Sequence, residues 1–186
     1  MITVLSPAKT LDYSVNYTDK HTVPSFLPKS SQLVKTLKAK EPSEIASLMG
    51  LSDKLASLNF DRYQSWNASK KLSNTAKPAL LVFKGDVYQG LQAEDFNKQD
   101  MTFAQKHLRI LSGLYGALKP LDVMKPYRLE MGTKLQINGS KNLYEFWGDT
   151  VRDSVLSDSN TLINLASNEY YNCLLYTSPS PRDGRI

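Results

Sequence analysis

Cysteine is almost absent: the 186 residues contain one, Cys173. A single thiol excludes an internal disulfide and a thiolate metal cluster. Histidine is nearly as scarce, with His21 and His107 far apart in the chain. No metal or cofactor is therefore expected, and His107, beside Phe103 and Leu111 at helical spacing, reads as a helix-surface or partly buried residue and not as a base. Long apolar runs are missing as well. None approaches the roughly 18 residues of a membrane span, and the start, MITVLSPAKT, lacks the basic and hydrophobic regions of a signal peptide. The expectation is a cytoplasmic protein with no membrane partner. Nucleotide fingerprints are lacking too. Ser6-Pro7-Ala8-Lys9-Thr10 ends as a P-loop does but has none of its glycines, and no Gly-x-Ser-x-Gly elbow occurs.

The C-terminal residues form a compositional break. Cys173–Ile186 (CLLYTSPSPRDGRI) resembles an in-frame translation of a sequencing adapter, and its Pro-Ser-Pro run cannot extend a helix or a strand ladder. Two segments are expected: a domain over 1–172 and a disordered artefact over 173–186. Without the latter, Lys plus Arg falls from 23 to 21 and Asp plus Glu from 18 to 17. The net charge then drops from +5 to +4. A mild positive charge is compatible with a polyanionic partner without specifying one.

Three short apolar runs read as buried strands: Ile2–Leu5, Ala79–Phe83 and Thr161–Leu165. Between them lie helical patterns. Ser31–Lys40 puts Leu33, Val34 and Leu37 on one face. Pro42-Ser43-Glu44 opens a second helix, and Ser52-Asp53 opens a third running through Leu55, Leu58 and Tyr63. Asp100–Leu114 reads as an amphipathic helix with Phe103, Leu108 and Leu111 on its apolar side, and Leu143–Leu156 as the last helix despite Gly148. Helices between short buried strands predict a mixed α/β or α+β domain.

Each expected strand runs into polar residues, where open α/β sheets build their sites. Lys9 and Thr10 follow the first, Lys84 and Asp86 the second, Ser167 and Glu169 the third. If the strands are parallel neighbours, these six residues share one cleft. Its lysines, with Ser6 and Thr10, suit an anion. Polar turns at strand ends explain the same residues equally well.

Two segments invite a nucleic-acid reading. Ser43–Trp66 has the outline of a helix-turn-helix, although Lys54 and Arg62 are the only cations of its second helix. His107–Lys119 contains Leu111-Ser112-Gly113-Leu114-Tyr115-Gly116, where two glycines around an apolar pair form a hairpin able to grip a phosphate, flanked by Arg109 and Lys119. A glycine C-cap with a turn competes on equal terms.

Six motifs in order resemble the peroxide stress protein YaaA family. They are Ser6–Leu11 (SPAKTL), Phe83–Tyr88 (FKGDVY), Leu108–Gly116 (LRILSGLYG), Pro126–Gly132 (PYRLEMG), Phe146–Asp149 (FWGD) and Asn164–Tyr170 (NLASNEY). The resemblance covers essentially all of 1–172. It implies a mixed α/β fold with a positively charged cleft and a helix-hairpin-helix element, placed here at Leu108–Gly116. It also implies that roughly the last third of the family's chain is missing. The implied activity is a cytoplasmic DNA-binding protein that limits peroxide damage and is linked to lower free iron.

The leading expectation is thus sequence-independent binding of DNA phosphates by Arg109, Ser112, Gly113, Tyr115, Gly116 and Lys119, with Arg128 as a further cation. The competing expectation is an enzyme in which Lys9, Lys84, Asp86, Tyr88, Arg128 and Glu130 surround an anionic small molecule. A partner-binding protein whose motifs only specify the fold is the third.

Overall fold

A computed structural model of the chain describes residues 1–175. Strand β1 (Ile2–Leu5) leads through β2 (Thr10–Leu11) to three helices, α1 (Leu27–Lys38), α2 (Pro42–Met49) and α3 (Asp53–Ser65). Next come β3 (Lys77–Pro78), α4 (Ala79–Val82), β4 (Phe83–Lys84) and α5 (Asp86–Leu91), then a 3₁₀ turn and α6 (Lys98–His107). Strands β5 (Leu108–Ser112), β6 (Gly116–Leu118) and β7 (Val123–Met124) follow. Helices α7 (Leu143–Trp147) and α8 (Thr150–Ser157), strand β8 (Leu162–Asn164) and helix α9 (Asn168–Leu175) complete the order. The fold is mixed α/β, as the alternation of patterns predicts. Among the described residues no helix is long and apolar enough to cross a membrane.

The main sheet has the order β6-β5-β1-β8, with β1 parallel to both neighbours and β6 antiparallel to β5. Ile2, Val4 and Leu5 of β1 are buried, as befits a central parallel strand covered on both faces. The chain leaves β1 toward β5 on one side and later places β8 on the other. That reversal opens a crevice beyond the carboxyl ends of β1 and β8, where α/β sheets bind ligands.

Helices α1 to α3 follow their sequence signals. Leu33, Val34 and Leu37 are buried, and Glu41 and Glu44 close a capping box at the start of α2. On α3, Tyr63 turns inward while Lys54 is exposed beside Asp53 and Asp61. The exposed charges of α3, two aspartates and one lysine, sum to −1, which does not favour a phosphate backbone. Helix α6 is also capped: the Asn97 side chain accepts from Gln99 N at 2.7 Å and Asp100 N at 3.0 Å. Asn97→Ala is expected to cost about 1 kcal/mol, read as a lowered urea midpoint. An unchanged midpoint would mean that packing alone holds α6.

Three expectations need correction. Ala79–Phe83 is not a strand: Ala79–Val82 form a helical turn after Pro78, and only Phe83 enters a strand. A short run buried on every side, as this one is, carries no periodicity to separate the two. Second, the helix expected over Asp100–Leu114 ends at His107. The presumed helix-hairpin-helix is a β-hairpin, pairing Ile110 with Leu118 and Ser112 with Gly116. Phe103 is 65% exposed and stacks on His107 at 4.4 Å, whereas Ile110, Leu111 and Leu114 are buried. Third, Leu143–Leu156 is two helices, because Gly148 has φ 48° and ψ −131°, a conformation outside the reach of L side chains. The boundary expected at Cys173 lies within α9, whose Cys173 and Leu174 are buried against the core. Residues 176–186, the rest of the expected artefact, lie outside the described residues.

Candidate functional site

The crevice at the ends of β1 and β8 is built by the loops that leave them. Ser6 Oγ donates to Ser167 Oγ at 3.2 Å and accepts from Ser167 N at 2.9 Å, clamping the two loops together. Tyr88 donates from its hydroxyl to Ser6 O at 2.7 Å, so this buried phenol braces the loop and does not face the crevice as a catalytic group. The crevice is lined by Pro7–Lys9, Tyr127–Glu130, Glu169 and Tyr170 around a space of about 60 Å³.

One carboxylate oxygen organises its charges. Glu130 Oε1 lies 3.0 Å from Lys9 Nζ and 3.2 Å from Arg128 NH2. Arg128 Nε is buried and has no hydrogen-bond partner, while its main-chain carbonyl accepts the Tyr63 hydroxyl. Glu169, on the wall of the same crevice, has one carboxylate oxygen engaged: its Oε1 accepts Gly132 N at 2.8 Å. Burial raises the Tyr170 and Tyr127 phenols well above their ordinary range, so both remain neutral hydrogen-bonding groups.

The other expected members of this cleft are elsewhere. Thr10 pairs with Lys84 across β2 and β4, but the Lys84 ammonium turns to Glu94 and lines a separate cavity. Asp86 is exposed at the start of α5. The structure thus joins Lys9, Arg128 and Glu130 in the lining of the crevice, which does not include Lys84, Asp86 or Tyr88. Tyr127 and Tyr170 were missed, although both stand in motifs that carry the resemblance.

The residues expected to hold DNA also divide. Ser112 is buried, with its hydroxyl 2.6 Å from the Tyr127 hydroxyl, and accepts Tyr115 N at 3.0 Å. Gly113 packs against the Leu129 backbone, and Gly116 against Trp147. Tyr115 is buried and receives the Trp66 indole N–H at 3.0 Å. None of these faces a phosphate. Arg109 is 5% exposed, held by Asp158 at 3.1 Å through Nε and 2.6 Å through NH2. Lys119 is half-buried and meets exposed Lys106 at an open cavity of about 450 Å³ between α6 and the hairpin, with Arg109 and Asp158 in its wall. Lys106 and Asp158 were not picked out in the sequence.

Among the described residues no group of three or more His, Cys, Asp or Glu is placed to hold a metal ion. Burial pushes the Cys173 thiol up to about 12, so it carries almost no thiolate at neutral pH and reacts poorly with oxidants.

Known proteins resemble this chain in sequence. A UPF0246 protein of Hahella chejuensis is 54% identical over 177 aligned residues, covering 92% of this chain and 69% of its own length. Another, of Saccharophagus degradans, is 48% identical over 192 residues, covering the whole of this chain and 73% of its own length. The profile of the family described as peroxide stress protein YaaA matches residues 1–179, across the boundary expected at Cys173. The chain belongs to the YaaA peroxide stress protein family.

Proposed function

We propose that this protein limits peroxide damage, including its iron-linked part, by binding DNA through phosphate contacts without reading sequence. The observation that supports it is the cavity where Lys106 and Lys119 stand over Arg109. Of the carboxylates nearby, Asp158 is engaged by Arg109 and buried Asp122 by the Thr22 hydroxyl and Lys119 N, so the two lysines present a positive field to solvent. Phosphate neutralisation needs distributed cations rather than a fixed catalytic geometry. The contact surface is therefore the outer wall of α6 with the end of β6, and the Gly113 turn belongs to the core.

A salt titration of duplex DNA binding tests this. Each lysine that neutralises a phosphate contributes roughly 0.9 to the slope of log K against log salt. Lys106→Ala with Lys119→Ala is expected to lower that slope by about 2 and to weaken binding alike for unrelated sequences. An unchanged slope in a variant with unaltered melting would sink the proposal.

A further inference from the structure

The crevice at the ends of β1 and β8 lies at the opposite end of the sheet from the lysine-lined cavity, and DNA binding leaves it unused. Its Lys9 and Arg128 converge on one oxygen of Glu130, which is the arrangement these cations would make around a ligand oxyanion. Arg128 retains a further donor, the buried Nε, with no acceptor. A buried unpaired donor is costly, and a guanidinium edge is shaped to grip an oxyanion by two parallel bonds. Size limits the occupant: about 60 Å³ admits one compact group, against the roughly 300–1,000 Å³ of a pocket for a whole small molecule.

We propose that this crevice binds the phosphate of a phosphomonoester between Lys9 and Arg128, with Glu130 as the internal carboxylate that fills the place until the ligand displaces it. Glu130 is only partly buried, its side chain 30% exposed, and can swing outward when displaced. Glu169, on the crevice wall, has its Oε1 tied to Gly132 N. The bound group would present its ester oxygen to the crevice mouth, where Lys9, 66% exposed, marks the rim.

The displacement makes the proposal distinctive, because removing a negative residue strengthens binding without adding a contact. Calorimetric titration of the full chain with inorganic phosphate should show Glu130→Gln binding roughly tenfold tighter than the parent, about 1.4 kcal/mol. Lys9→Met, at an exposed position that threatens no packing, should weaken binding by a similar factor in the Glu130→Gln background. A nucleoside 5′-monophosphate and a 5′-phosphorylated oligonucleotide distinguish the source of the group: whichever is retained over free phosphate identifies the ligand. Lys106→Ala with Lys119→Ala should leave phosphate binding intact, which separates this site from the DNA surface. Phosphate binding absent from both parent and Glu130→Gln at millimolar concentration would overturn the proposal. So would equal affinity in the two.

Discussion

Gly113→Ala is expected to be severely destabilising although it adds a single methyl group. The added Cβ would overlap the Leu129 carbonyl oxygen and approach Leu129 C at 3.0 Å and Glu130 C at 3.1 Å. These are backbone atoms, which cannot rotate aside as a side chain tip can. The turn is also fixed from behind, since Trp147 donates its indole N–H to Gly113 O at 2.9 Å. Overpacking in a core costs about 1–3 kcal/mol, and more where neither wall yields. A loss of about 3 kcal/mol or more is therefore expected, a large fraction of the 5–15 kcal/mol that stabilises a typical domain. Urea denaturation would measure it. The displaced segment carries Arg128 and Glu130, so phosphate affinity should fall along with stability. A loss below about 1 kcal/mol would show that the 127–130 segment moves freely against the hairpin, and the packing account would fail.

This contact explains why the glycine-rich stretch misleads on sequence. Glycines at 113 and 116 imply either a phosphate-gripping turn or a place where backbones meet closely, and both demand the missing Cβ. Nothing in Leu108–Gly116 says that Leu129, 16 residues beyond Gly113, will lie against it. Leu108–Ser112 was similarly ambiguous, since a short apolar run fits a helix face or a buried strand until its neighbours are known. β1 was legible because Ile2, Thr3 and Val4 are β-branched and Pro7 bounds the run. Helices α1 to α3 were legible because prolines, caps and apolar spacing agree. The site was half legible. Polar residues after β1 and β8 mark the crevice, and Lys9 and Glu169 were named on that basis. The reach of a long side chain is set by tertiary contacts instead: Lys84 finds Glu94, and Arg109 finds Asp158, 49 residues away.

That last pair yields the second large effect, and it is asymmetric. Arg109 is 6% exposed at its side chain and Asp158 is 35% exposed. Removing the carboxylate strands a buried charge, whereas removing the guanidinium leaves an aspartate that water can still reach. Breaking a buried pair from one side costs about 3–5 kcal/mol when the remaining charge is fully enclosed. Arg109 retains bonds from NH1 to Gln105 O at 3.1 Å and Leu108 O at 2.6 Å, which places Asp158→Ala near the lower end, about 3 kcal/mol. Arg109→Met keeps most of the packing volume and should cost roughly 1 kcal/mol. Lys119→Ala, at the same cavity but outside the pair, should stay within about 0.5 kcal/mol. Chemical denaturation of the three variants gives the ranking directly. If Arg109→Met proved the most damaging, the stabilising element would be the guanidinium's packing and not its charge. The ranking also determines how DNA binding must be probed: an Arg109 variant that weakens binding has to be corrected for its unfolded fraction, and only the lysines report on phosphate contact alone.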